Sequence, residues 1–278
     1  MKKIFILALL GLAFVQGRAA SDAPLQTFAP EVTTADSIRH PLRDSGADRN
    51  ILRAALKGWE VSLGAGVEIG GTSPLPLPRS IRKINSFRPR LNLQIEGAAH
   101  KHFDKHWGIS LGLRLETKGM KTDADVKNYH MEITEDDGGH MEGGWTGPVI
   151  TKTRLTYVTI PVLATYTFNN DRWTVNAGPY FSVLVDGDFS GYVHDGYIRT
   201  PDETGENVDV THATYDFHND LRRFQWGLQV GGSFRAYKHL YVNANLDWGL
   251  NGIFPSDYKT ITFALYPIYG TLGFSYLF

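Results

Sequence analysis

From Gly58 onward, apolar and polar residues alternate with a period of two, as they do in strands whose successive side chains point to opposite faces. The first run sets Trp59, Val61, Leu63, Ala65, Val67 and Ile69 against Glu60, Ser62, Gly64, Gly66 and Glu68. Apolar faces of the same kind recur over 91–99, 109–115, 158–168, 173–183, 224–234, 240–250 and 272–278. The connections between runs are long and short in turn, at 70–88, 101–105, 121–151, 169–171, 187–220 and 237–239, with a moderate one at 253–260. An even number of runs with short turns at one end and long loops at the other predicts an all-β fold. The expected architecture is a closed, antiparallel, up-and-down transmembrane β-barrel of about eight strands, with short periplasmic turns and long extracellular loops.

Alternation alone does not say which face points outward, so a secreted soluble ligand-binding barrel of the lipocalin type, apolar inside, fits the same strands. Aromatic placement separates the two. Trp59, Phe103, Trp107, Phe168, Trp173, Tyr237, Tyr241 and Phe278 gather near the ends with short turns, which is where an interfacial girdle stands in a membrane barrel. On this reading the apolar faces meet outer-membrane lipid.

The segment before Gly58 carries its own information. Lys2 and Lys3 precede an unbroken apolar run from Ile4 to Val15, and small residues at Gly17 and Ala19 suit cleavage near Ala19 or Ala20. Residues 1–20 thus read as a secretory signal peptide, 21–57 as a periplasmic N-terminal tail and 58–278 as the barrel. Past the signal, no stretch approaches the roughly 18 consecutive apolar residues of a membrane-spanning helix. With no cysteine, disulfides, thiolate metal sites and a lipidated cysteine anchor are excluded. A net charge of −1 gives no basic surface for nucleic acid.

If lipid covers the apolar faces, then Glu68, Glu96, Arg114, Glu116, Lys118, Arg235 and Asp247 point into the lumen. The interior of an eight-stranded barrel is just wide enough for side chains to fill. Charges of both signs are therefore expected to pair across it and close it, as a structural plug and not an ion path. Loops 121–151 and 187–220 are acidic, without the spacing of a calcium loop, and the preceding loop is basic through Arg79, Arg82, Lys83 and Arg88, so it is able to fold against them. His100, His102, Asp104 and His106 look like a ligand set, but their place at a short turn reads as a solvated polar turn. His194, Asp195, His212, Asp216 and His218 supply acid and base types that no signature organises. No catalytic residue, cofactor or metal is expected.

Several segments resemble the PorT-like outer-membrane β-barrel family, in that family's order: LETKGMK at 115–121, YVTIPVLATYTF at 157–168, NAGPYFSVLVDG at 176–187, QWGLQVGGSF at 225–234 and YGTLGFSYLF at 269–278. The resemblance covers about 58–278 and implies an eight-stranded barrel in the outer membrane of a Gram-negative cell. It implies little about molecular activity, apart from an accessory role in type IX-like protein secretion. It also implies that the alternating terminus Leu272, Phe274, Tyr276 and Phe278 is read by the barrel assembly machinery during biogenesis. The expected function is a non-enzymatic outer-membrane barrel with a closed lumen, whose acidic loops face an extracellular or secretion partner of unknown identity.

Overall fold

A computed structural model of the chain describes residues 58–278 apart from 136–137, 202–203, 257, 259 and 262. The signal peptide and tail expected over 1–57 lie outside the described residues. Ten strands form one antiparallel sheet: β1 (Trp59–Pro74), β2 (Ile81–Pro89), β3 (Asn92–His102), β4 (Trp107–Glu135), β5 (His140–Thr167), β6 (Trp173–Thr200), β7 (Glu206–Asp216), β8 (Phe224–Tyr237), β9 (Leu240–Gly249) and β10 (Leu265–Leu277). Strands β1, β3, β4, β5, β6, β8, β9 and β10 follow one another around a ring, and β10 closes it by pairing with β1, for instance Val67 with Leu272. These eight are the alternating runs of the sequence. Closure leaves the ring no open edge, as a strand in lipid requires.

Turns at the lower end are tight and locally satisfied. Asp104 Oδ1 accepts hydrogen bonds from the backbone N–H of His106 and of Trp107, at 2.7 Å each, and Asn170 Oδ1 accepts from the Arg172 N–H at 3.1 Å. Asp171 adopts φ 53°, a left-handed conformation that aspartate tolerates. The outward side chains of the ring are apolar and exposed, including Leu63, Leu113, Ile160, Phe181, Leu228 and Phe274. Inward ones such as Ser62, Arg114, Thr159, Ser182, Gln229 and Asp247 are buried and polar. A lipocalin has the opposite arrangement, so that alternative is overturned. The girdle stands as expected at Phe103, Trp107, Phe168, Trp173, Tyr237 and Phe278, all exposed. Tyr241, however, lines the lumen, because it falls on the polar parity of β9.

The long connections are the main departure. Residues 121–151 are not a loop: β4 runs on to Glu135 and β5 starts at His140, the two paired from Trp107–Tyr166 to Thr134–His140. Most of 187–220 is likewise strand, as the upper part of β6 pairs with β7. The tip of β4 then pairs with β7 at Thr134–Thr214 and Glu135–Ala213. A second, smaller ring therefore stands above the first. Its interior is apolar: Met131, Ile133, Trp145, Val193, Ile198 and Ala213 are at most 1 % exposed. Ile253, Phe254 and Ile261, from the connection before β10, pack into the same core. Strand β2, from the first connection, pairs with β4 over 120–126 beside Asp123 and Asp125. Asn85 donates to both of those carboxylates. The basic segment thus folds against part of the acidic one.

Candidate functional site

The cross-section where the two rings meet is filled by charge. Strand register sets Glu96 directly beside Arg114 and Gln229 directly beside Asp247, on opposite walls. Arg114 bridges the gap. Its Nε donates to Glu96 Oε2 at 2.5 Å, one terminal nitrogen donates to Glu116 Oε2 at 3.2 Å and to Asp247 Oδ2 at 2.8 Å, and the other donates to Gln229 Oε1 at 2.7 Å. One guanidinium thereby ties β3, β4, β8 and β9 together, using the forked donor geometry that lysine lacks. Glu116 Oε1 accepts from Lys118 Nζ at 2.6 Å and from the Thr159 hydroxyl at 2.8 Å. Thr159 also bonds Ser182 at 2.7 Å.

Lys118 sits inside an aromatic cage. Its ammonium lies 5.8, 5.4 and 5.6 Å from the ring centres of Tyr157, Tyr180 and Tyr269, each a cation–π distance. The Tyr180 ring fits because Gly227 has no side chain; a Cβ there would come within 2.7 Å of the ring. Glu68 completes the group, fully buried, with its carboxyl group against that of Glu116. Oxygens of Glu68, Glu116 and Asp247 lie within 4.8 Å of one another, with the Lys118 ammonium already bonded to Glu116 among them.

Six of the seven lumenal charges expected from sequence are thus brought together: Glu68, Glu96, Arg114, Glu116, Lys118 and Asp247. Arg235 is the correction. It shares the inward parity of β8 but lies at the lower rim beside a register shift, and its guanidinium turns to the backbone carbonyl of Asp171 in the β5–β6 turn. Parity places a side chain on a face; height along the strand decides what it meets. Gln229, Thr159 and the three tyrosines escaped a search for charge alone. Tyr157 and Tyr180 were visible as aromatics on the polar parity of their strands, among Thr159, Asn176 and Ser182.

Below the cluster lies a polar vestibule of about 150 Å³ lined by Ser62, His100, Ser110, Asn176, Asn243 and Ser275, among others. The histidines near the lower turn do not converge: His100 Nε2 meets Ser62 at 2.8 Å, His102 faces Glu60 at 3.9 Å, and His106 Nδ1 meets the Thr167 carbonyl at 2.9 Å. Asp104 caps the turn, and the N–H groups of Trp107 and His106 hold its carboxyl below the usual carboxylate range. In the upper ring His194–Asp195, His218–Asp216 and His130–Glu142 are separate partly exposed pairs at 2.9, 2.8 and 3.2 Å. The closing side chains Leu272, Phe274, Tyr276 and Phe278 all face outward, at 59, 61, 48 and 72 % exposure.

A family model for the outer membrane protein β-barrel domain matches residues 41–255. The chain belongs to that family. It is an outer-membrane β-barrel protein, and the apolar belt of the lower ring is its lipid-facing surface. No curated protein matches the chain. Similar solved structures include Ail, the attachment invasion locus protein of Yersinia pestis, at 11 % identity and TM-score 0.36, covering 80 % of this chain and 99 % of that one. Neisserial surface protein A is similar at 10 % identity and TM-score 0.33, covering 80 % of this chain and 98 % of that one. The outer membrane protease OmpT of Escherichia coli is similar at 10 % identity and TM-score 0.33, covering 79 % and 96 % respectively.

Proposed function

We propose that the protein is a non-enzymatic outer-membrane anchor that holds a rigid, charged β-structure above the membrane as an interaction surface, with a lumen that does not conduct. The observation that carries this reading is the continuity of β4, β5 and β6 from the lipid belt into the upper ring, past a lumen filled by Arg114, Lys118 and their partners. A surface with its own apolar core is preorganised, so a partner need not order it on binding. Its outward acids include Glu142, Asp188, Asp195, Glu206, Asp209 and Asp216, which favour a basic partner. The histidine–carboxylate pairs are spread over separate sites, which favours binding over catalysis.

Two measurements test this. Planar-bilayer recordings should show no discrete conductance steps, and steps that change in size when Arg114 is substituted would refute the closed lumen. Nanodisc-held protein should bind oligolysine, and the combined Glu206→Gln, Asp209→Asn and Asp216→Asn variant should bind it more weakly; equal binding would refute the acidic surface. A second reading rests on the segments that resemble the PorT-like family, namely an accessory role in type IX-like secretion. Deletion of the gene would then deplete exported proteins from the culture medium, and an unchanged set would remove that role.

A further inference from the structure

Immediately above Lys118 the inward face of β4 turns apolar, and the walls there enclose a cavity of about 370 Å³. Ile81 and Phe87 of β2, Met120 and Val126 of β4, Val149 of β5 and Leu265 of β10 line it. That volume lies in the range of small-molecule sites, and its mostly apolar lining suits an apolar occupant. The adjoining wall has a seam. Strand β3 ends at Asn92, opposite Glu68; above that level β4 pairs with β2, while β1 continues along β10 to Pro74. Among the described residues no ladder joins β1 to β2. The Phe87 ring bridges the seam, and its atoms lie 2.7 Å from where a Cβ on Gly71 would stand.

The lip of the seam is apolar and wet. Leu77, Ile84 and Phe87 are 56, 52 and 48 % exposed, whereas the upper ring elsewhere turns Lys121, Asp123, Lys152 and Arg154 outward. Just below stands the lipid-facing Ile69. Around the lip are Arg79, Arg82, Lys83 and Arg88, all exposed and none in an ion pair among the described residues. An apolar cavity that continues through an apolar lip to cations held in no ion pair has the complementarity of an amphiphile. We propose that the cavity takes an acyl chain bearing an anionic head, entering between β1 and β2 with the head held by the β2 cations.

The absence of native cysteine makes a single introduced thiol specific. Ala124→Cys places one on the cavity wall and Lys152→Cys one on the outer face of the same region. Each variant is reconstituted in phosphatidylcholine nanodiscs, its folding checked by gel shift, and its labelling rate with monobromobimane measured. Tetradecanoate at about four times its Kd leaves about one fifth of the sites empty, so labelling at 124 should slow about fivefold while labelling at 152 is unchanged. Tetradecanol should protect far less, and Arg82→Ser with Arg88→Ser should abolish protection by the carboxylate. Slower labelling in phosphatidylglycerol discs without added carboxylate would support the site with a leaflet lipid as the source; protection by tetradecanoate alone would support it with a free amphiphile. No protection by either, equal protection by tetradecanol, or full protection in the arginine variant would overturn the proposal. If Ala124→Cys fails to fold, Thr122→Cys on the same wall takes its place.

Discussion

Strand β4 passes through two environments and reverses its chemistry between them without reversing its faces. In the lower ring its outward residues are Ile109, Leu111, Leu113 and Leu115, and its inward ones Ser110, Arg114, Glu116 and Lys118. In the upper ring the outward positions become Lys121, Asp123, Asp125 and Lys127, while Met120, Ala124, Val126 and then Met131 and Ile133 turn inward. The crossover takes only the few residues from Leu115 to Lys121. In lipid the outer surface must be apolar and polar groups find partners only inside, whereas in water burial of apolar surface drives association and charge belongs outside. The crossover therefore marks the height at which the medium around the strand changes from lipid to water, and the Arg114–Lys118 cluster sits at that height.

The comparison is tested most severely at the cluster. Arg114→Ala strands Glu96, Glu116 and Asp247 without their bridging cation, and should lower stability by about 3–5 kcal/mol, as for one partner of a buried network. Arg235→Ala, at the wet rim, should change it by no more than about 0.5 kcal/mol. Urea unfolding followed by gel shift in detergent checks both, and equal midpoints would mean that the cluster does not brace the barrel. Met131→Ala empties a position that is 1 % exposed in the upper core. It should cost about 2–5 kcal/mol, confined to the upper ring. Limited proteolysis should then clip the upper strands while the gel shift of the barrel persists; joint loss would show that the two rings unfold as one.

The outward face is probed by opposite substitutions on one strand. Leu113→Arg, in the lipid belt, should destabilise by about 2–4 kcal/mol depending on depth, whereas Asp125→Leu, above it, should cost little. If the two behave alike, the crossover is misplaced. The smallest effect on the folded state concerns Phe278. Deleting it should leave the unfolding midpoint close to that of Leu250→Ala, a comparable loss of exposed apolar surface just past the end of β9, yet lower the folded fraction in cells if the terminus guides assembly. Equal folded fractions would reduce Phe278 to one more lipid contact.

The eight ring strands, their facing and six of the lumenal charges were legible in the sequence, because a strand's side chains alternate strictly and a lipid belt demands large apolar residues at every second position. The upper ring was not legible, and the reasons are local. At Asn128, with φ 53°, β4 carries one residue more than β5 between Val126 and Tyr129, so the inward parity passes from even to odd. A similar slip at Val185 in β6 separates Leu184 from Asp186. Such bulges break the period by which a strand is recognised, and the outward acids of a water-facing sheet look like a loop. What only the tertiary structure decided was height and reach. Arg114 and Arg235 share inward parity, yet Arg114 meets three carboxylates and Arg235 a turn carbonyl, since the contacts of a side chain depend on which strands the register brings level with it across the lumen.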